Sequence, residues 1–271
     1  MPLTLQWLGR TTLPVEASSI QPASFNGRLL AKIARIPIPV GNAQVPLAEL
    51  FDIAGDGSDS VVILEGDLSH LNGIGTGMTS GHLVVRGSLG ARVGSQMSGG
   101  EIDVSGSVGP WAGAEMRGGI LRILGDAGDN LGSALPGSRV GMREGLILVS
   151  GSVGIDAGLA MRRGWIVIGG DSGEAVGRGL VAGSIFVFGK LGRLAGVGMK
   201  RGTIVGFGGG EAIAPTFAPS GRWRPHFLNI YLKELATQKF DFSPDVFSGQ
   251  FDRYNGDLAG RGQGEILART P

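Results

Sequence analysis

The sequence predicts an all-β solenoid, a right-handed parallel β-helix of about seven 19-residue coils over residues 60–208. Three observations carry this. Met78, Met97 and Met116 stand 19 residues apart and, after one step of 26, Met142, Met161, Leu180 and Met199 keep the same interval. Gly81, Gly100, Gly119, Gly145, Gly164, Gly183 and Gly202 follow the same rhythm, as do the columns that begin at Gly87 and Gly94. Each coil also holds two apolar residues separated by one other: Leu83 and Val85, Ile102 and Val104, Leu121 and Ile123, Ile147 and Val149, Ile166 and Ile168, Ile185 and Val187. That spacing is the period of a β-strand.

Residues 1–59 lack the repeat and are expected to form a β-rich cap. Leu3, Leu5 and Trp7 alternate as in a strand, and strand-like runs at 33–40 and 45–51 are punctuated by Pro37, Pro39, Gly41 and Pro46. Within the coils, a second apolar column runs through Val93, Ala112, Leu131, Ala157, Val176 and Ala195. Segments this short cannot bury two faces alone, but stacked coils pair each strand with the next and line one core. At about 4.8 Å per coil the stack is roughly 34 Å long. The methionines are expected inside as flexible fillers, and the glycines at the bends. Right-handedness follows from the strong bias of parallel crossovers; a left-handed hexapeptide helix needs a six-residue subperiod that 19 does not contain.

The single step of 26 marks an insertion at 133–140, around Pro136 and Gly137. Residues 209–271 leave the repeat again. Leu228, Tyr231, Leu232 and Leu235 share one helix face after Pro225, which predicts one short helix, and an irregular tail is expected from Phe240. Phe240, Phe242, Phe247, Phe251 and Tyr254 make that tail too apolar to stand free, so it must pack on this chain or another. Caps are needed because open solenoid ends invite strand addition.

Composition narrows the function classes. Glycine supplies 51 of 271 residues without a Gly-X-Y triplet, so the excess belongs to corners and not to collagen. A net charge of +1 gives no overall attraction to nucleic acid or membrane, and no apolar run approaches the ~18 residues of a membrane span. The absence of cysteine removes disulfides and thiolate chemistry, and the first residues carry no basic-then-apolar leader. A cytoplasmic protein is expected.

No catalytic, metal or cofactor-binding residue is expected in this chain. His70, His82 and His226 stand at unrelated phases of the repeat, whereas a metal site needs them to converge with carboxylates. Glu101, Asp103, Glu115, Asp126, Asp129, Asp156, Asp171 and Glu174 fall in several phases, so no acid–base pair of a polysaccharide-cleaving β-helix is visible. The run Gly73-Ile74-Gly75-Thr76-Gly77 lacks a Walker lysine in register, and Gly75 continues the repeat column. One outward column is specialised: Arg117, Arg143 and Arg162, with Arg163, Lys200 and Arg201 beside them, follow the methionine positions. Stacked, they form a basic ladder whose mutual repulsion is relieved by a carboxylate-bearing partner or an anionic chain; a solvated edge that discourages aggregation is the plain alternative.

The glycine repeat resembles the GxGxG domain shared by the C subunit of formylmethanofuran dehydrogenases and by the C-terminal part of the glutamate synthase large subunit. The flanks are more specific. Pro14-Val15-Glu16-Ala17, Val40-Gly41-Asn42 leading to Leu47-Ala48-Glu49-Leu50-Phe51, and Arg253-Tyr254-Asn255-Gly256-Asp257-Leu258-Ala259 with Gly262-Gln263-Gly264-Glu265-Ile266-Leu267 are similar to that C subunit over essentially the whole chain. Within that family the sequence looks most like the subunit of bacterial formyltransferase/hydrolase complexes. The resemblance implies a right-handed β-helix and a noncatalytic place in one-carbon metabolism. It implies as partners an amidohydrolase-like A subunit with a binuclear metal centre, a B subunit, and a formyltransferase D subunit. It also implies a methanofuran-type carrier, whose glutamate-rich arm gives the basic ladder a candidate ligand. The C subunit of a formylmethanofuran dehydrogenase and a glutamate-synthase-like structural domain are the alternatives. Because the chemistry lies in other chains, whether this chain counts as an enzyme is left open.

Overall fold

A computed structural model describes residues 1–209, 213–243, 246, 249–260 and 262–270. The chain opens with β1 (Leu3–Trp7), β2 (Val15–Glu16), the single-turn helices α1 (Pro22–Phe25) and α2 (Leu30–Ile33), the hairpin β3 (Pro37–Val40) and β4 (Ala43–Pro46), a third short helix α3 (Leu47–Leu50) and β5 (Phe51–Ala54). The coils follow as β6 (Val61–Glu65) with β7 (Leu71–Asn72), then β8 (His82–Arg86), β9 (Ser98–Val104), β10 (Arg117–Ile123), β11 (Glu144–Val149), β12 (Trp165–Ile168), β13 (Ser184–Val187) and β14 (Thr203–Gly206). β15 (Ala218–Trp223), α4 (Leu228–Thr237), β16 (Phe251–Gly256) and β17 (Gly264–Arg269) complete it.

Thirteen strands form one sheet in the order β15-β16-β17-β14-β13-β12-β11-β10-β9-β8-β6-β1-β5, and β4-β3-β2-β7 form a second. From β6 to β14 the neighbours are parallel and keep the repeat in register: Leu83 pairs with Ile102, Ile102 with Leu121, and Leu121 with Ile147 across the insertion. Parallel bridges along Leu68, Leu89, Val108, Ala127, Val153 and Ser172 mark a second stacked line. The molecule is thus mostly β, with a long, largely parallel sheet consistent with a β-helix.

The core is built from the repeating columns. Met78, Met97, Met116, Met142, Met161, Leu180 and Met199 are no more than 1% exposed, and Val93, Ala112, Leu131, Ala157, Val176 and Ala195 are buried beside them. Glycine is required where the turns touch. At Gly164, φ is +98°, and a Cβ would stand 2.7 Å from Met142 Cε and 2.9 Å from the Gly145 carbonyl oxygen of the preceding coil.

Another corner is held by short polar side chains. The backbone N–H of Ser107 donates to Ser88 Oγ at 3.0 Å, Asp126 N–H to Ser107 Oγ at 3.0 Å, and Ser152 N–H to Asp126 Oδ1 at 2.8 Å. The pattern continues from Asp171 N–H to Ser152 Oγ at 3.0 Å and from Lys190 N–H to Asp171 Oδ1 at 2.7 Å. Asp126 and Asp171 share a column because they satisfy backbone donors that the strands leave unpaired.

Both ends differ from the sequence expectation. Within the strand-like run 45–51, residues 47–50 form a helical turn, because the run Leu-Ala-Glu-Leu after Pro46 consists of good helix formers, and the run 33–40 is strand only from Pro37. β1 enters the main sheet parallel to β6, with Leu5 opposite Leu64, and β5 closes that edge antiparallel. At the other end the expected irregular tail contains β16 and β17, and β17 runs parallel to β14 with Ile266 opposite Ile204. The far end of the chain therefore supplies the final rung.

The aromatic tail and α4 pack on this chain. Leu228, Leu232 and Leu235 lie on one face of α4, as a 3.6-residue period requires, and cover Leu148, Val167, Phe186 and Val205 on the outer face of the sheet together with Phe240 and Phe251. Burying each such leucine contributes about 1.5–3 kcal/mol. Phe242 packs against this cluster and Tyr254 against the main core; Phe247 lies outside the described residues.

Candidate functional site

The basic ladder is built by the same hydrogen bonds that stack the coils. Arg117 N–H donates to Met97 O at 2.7 Å, Arg143 N–H to Met116 O at 2.7 Å, Arg162 N–H to Met142 O at 2.8 Å and Lys200 N–H to Leu180 O at 2.7 Å. Each cation follows a buried residue and faces outward; Arg117, Arg143 and Arg162 lie in successive coils, and Lys200 lies two coils beyond Arg162. Arg117, Arg143, Arg162, Arg163, Lys200 and Arg201 are all exposed, and none of them forms an ion pair among the described residues. Arg143, Arg162, Arg163, Lys200 and Arg201 line one depression of about 490 Å³ with Val181 and Ala182. Arg117 stands below it, with Glu144 as its register partner on β11.

A second cluster was not legible as a site. His82, which no metal or catalytic role was expected to involve, comes together with Glu101 and Asp103 on the outer face of β8 and β9. His82 Nε2 lies 2.7 Å from Asp103 Oδ2. Arg122 on β10 donates through Nη1 to Glu101 Oε2 at 2.7 Å and to Asp103 Oδ1 at 3.1 Å, and through Nη2 to Gln238 Oε1 at 2.8 Å. The signal was present in the numbering, since Glu101 follows His82 and Arg122 follows Asp103 by one 19-residue coil. Among the described residues this is the one group of three such side chains within reach of a single cation, and His70 and His226 do not join it.

The cluster's chemistry is that of an ion-pair network. Burial works against the Arg122 charge, but the bonds from Glu101 and Asp103 outweigh it and raise the guanidinium pKa further. Arg122 thus already occupies the space between the two carboxylates and ties the sheet to the residue that ends α4. A cleft of about 640 Å³ opens alongside, lined by Asp103, Arg122, Leu124 and Gln238. The other buried carboxylates also serve the frame. Glu115 accepts from Gln96 Nε2 at 3.1 Å and from Leu135 N–H at 3.3 Å, which anchors the insertion, and Asp156 pairs with Arg178.

Among the described residues no helix is long and apolar enough to cross a membrane. No protein-family model matches the chain. A stretch of 82 residues, 30% of this chain, is 39% identical to the C subunit of the molybdenum-containing formylmethanofuran dehydrogenase 1 of Methanothermobacter marburgensis, covering 20% of that protein. A stretch of 90 residues is 35% identical to the C subunit of the formyltransferase/hydrolase complex Fhc of Methylorubrum extorquens, covering 33% of this chain and 34% of that protein. These matches span about a fifth to a third of the curated relatives' length.

Fold and repeat together define a glycine-cornered, β-helix-like protein, and similarity over the whole chain makes the assignment specific. The chain belongs to the family of formylmethanofuran dehydrogenase C subunits. Its full length superposes, with a TM-score of 0.89 and 32% identity, on a chain of the crystal structure of the formyltransferase/hydrolase complex (FhcABCD) from Methylorubrum extorquens in complex with methylofuran, covering 97% of this chain and 98% of that one.

Proposed function

We propose that this chain is the noncatalytic scaffold, the C subunit, of a formyltransferase/hydrolase complex. In this reading it is a right-handed β-helix of about seven coils in the cytoplasm, gripped by an amidohydrolase-like A subunit, a B subunit, and a formyltransferase D subunit. The complex passes a formyl group from formyl-tetrahydromethanopterin to a formylmethanofuran-type carrier and releases formate. The observation that carries the reading is similarity over 97% of the chain to a subunit of such a complex, caps included. The cluster of His82, Glu101 and Asp103 supports a structural role, because Arg122 already neutralises its carboxylates. Carrier and binuclear centre belong to the assembly; within this chain, the cations at 143, 162, 163 and 200, which form no ion pair with a described residue, suit the carrier's anionic arm.

The test is purification from the native cell without overexpression. Co-elution with an amidohydrolase and a formyltransferase supports the proposal, and elution as a lone polypeptide overturns it. A molybdenum or tungsten protein in the same peak favours the second reading, the C subunit of a formylmethanofuran dehydrogenase, which the 39% identity to such a subunit recommends. A complex carrying Arg143→Glu and Arg162→Glu should transfer formyl groups more slowly between its sites; a normal rate removes the ladder from the carrier's path.

A further inference from the structure

We propose that the depression in the basic face is a docking notch for a partner polypeptide presenting one apolar side chain flanked by carboxylates. From Met116 onward every coil but one places a cation directly after this buried position, and the exception is the one that carries an apolar pair. Residues 161–164 read Met-Arg-Arg-Gly and 199–202 read Met-Lys-Arg-Gly, but the coil between them reads Leu180-Val181-Ala182-Gly183. Backbone geometry does not force the change. Val181 N–H donates to Met161 O at 2.8 Å, as Arg162 N–H does to Met142 O at 2.8 Å and Lys200 N–H to Leu180 O at 2.7 Å. Val181 and Ala182 are half-buried where the neighbouring cations are exposed.

The consequence is a gap with an apolar floor. Val181 and Ala182 form the bottom of the 490 Å³ depression, with Arg162 and Arg163 on one side and Lys200 and Arg201 on the other. The two walls are two coils apart, about 10 Å, which admits one side chain of leucine size. None of the four wall cations is in an ion pair with a described residue; Arg201 Nε donates only to the neutral Gln263 Oε1, at 3.1 Å. Facing cations raise the local positive potential and favour carboxylates at the rim, while the floor removes an apolar group from water. An apolar centre inside a polar rim is the anatomy of a protein–protein anchor.

The inference does not depend on the family reading and is tested on the full chain alone. Fluorescein-labelled peptides Glu-Glu-Leu-Glu-Glu and Glu-Glu-Gly-Glu-Glu are titrated at low salt and followed by anisotropy, against the wild type and a Val181→Arg/Ala182→Arg double variant. The leucine peptide should bind the wild type about tenfold more tightly than the glycine peptide. The double variant should lose that preference while holding the glycine peptide at least as well, because cations have been added. Val181→Ser, which keeps the notch open and needs no new charge, should weaken the leucine peptide alone. Equal binding of the two peptides to the wild type, no saturable binding of either, or a double variant that keeps the leucine preference overturns the proposal.

Discussion

Replacing Gly164 with alanine should destabilise the protein by about 2–4 kcal/mol, whereas the same change at Gly179 should cost only about 1 kcal/mol. Both glycines have positive φ, +98° and +63°. At Gly179 an added Cβ meets no atom within 4 Å, so only the backbone cost is felt. That column already tolerates alanine: Ala160, one coil earlier, has φ +55°. A left-handed non-glycine residue costs about 1–2 kcal/mol, of which roughly 0.4–1 is regained because alanine restricts the unfolded chain. At Gly164 the new Cβ stands 2.7 Å from Met142 Cε and 2.9 Å from Gly145 O. The methionine end can swing aside; the carbonyl belongs to the preceding coil's backbone and cannot, which adds about 1–3 kcal/mol of overpacking. Urea unfolding of the wild type and both variants measures the difference, and hydrogen exchange should place the loss in the coils on either side of residue 164, because coils stabilise their nearest neighbours. A Gly164→Ala protein no less stable than Gly179→Ala refutes the idea that the turns are packed to backbone contact.

Two further outcomes test the polar parts of the frame. Asp126→Ala removes the acceptor 2.8 Å from the Ser152 N–H; that amide should exchange about fivefold faster, the equivalent of one ordinary hydrogen bond, while amides of the distant cap keep their rates. Asp257, 2% exposed, accepts from Gly198 N–H at 2.8 Å and Ala259 N–H at 2.9 Å. Burial pushes its carboxyl up, but these bonds outweigh burial and hold it below the ordinary range. A depressed folded pKa means the stabilisation is fully present above the unfolded value of about 4 and is lost as pH falls through the folded value. Asp257→Asn should therefore flatten the fall in stability below about pH 4, and an acid limb identical to that of the wild type would show that the carboxylate does not hold the end of the stack.

The stack was legible because every coil states the same pattern again. The burial of Met78 and its equivalents, the strand pairs and the continuity across 133–140 follow from the period alone. The ends were not, because their pairing is set by contacts far apart in sequence: Ile204 meets Ile266 and Leu5 meets Leu64 with no local signal. At 47–50 helix preference and strand-like flanks competed, and the helix won. The residue between the two core positions of each strand faces outward, and its chemistry follows its cover. It changes from Asp103 and Arg122 to Leu148, Val167 and Phe186, and that is where α4 lies. The His82 cluster escaped because its hydrogen bond does not follow a column but runs diagonally from His82 to Asp103.

The two parallel strands that flank the coils, β1 at one end with β5 beyond it and β17 at the other with β16 beyond it, have a consequence for how such molecules can vary. Each seals its terminus by pairing with a coil of nearly standard shape, so excision of one interior 19-residue unit keeps every side-chain column aligned and leaves both lids intact. The span between the lids then changes in steps of about 4.8 Å and by no smaller amount. The protein is a ruler with molecular graduations, and whatever is fastened to its two ends is held at a separation that can be reset only one whole notch at a time.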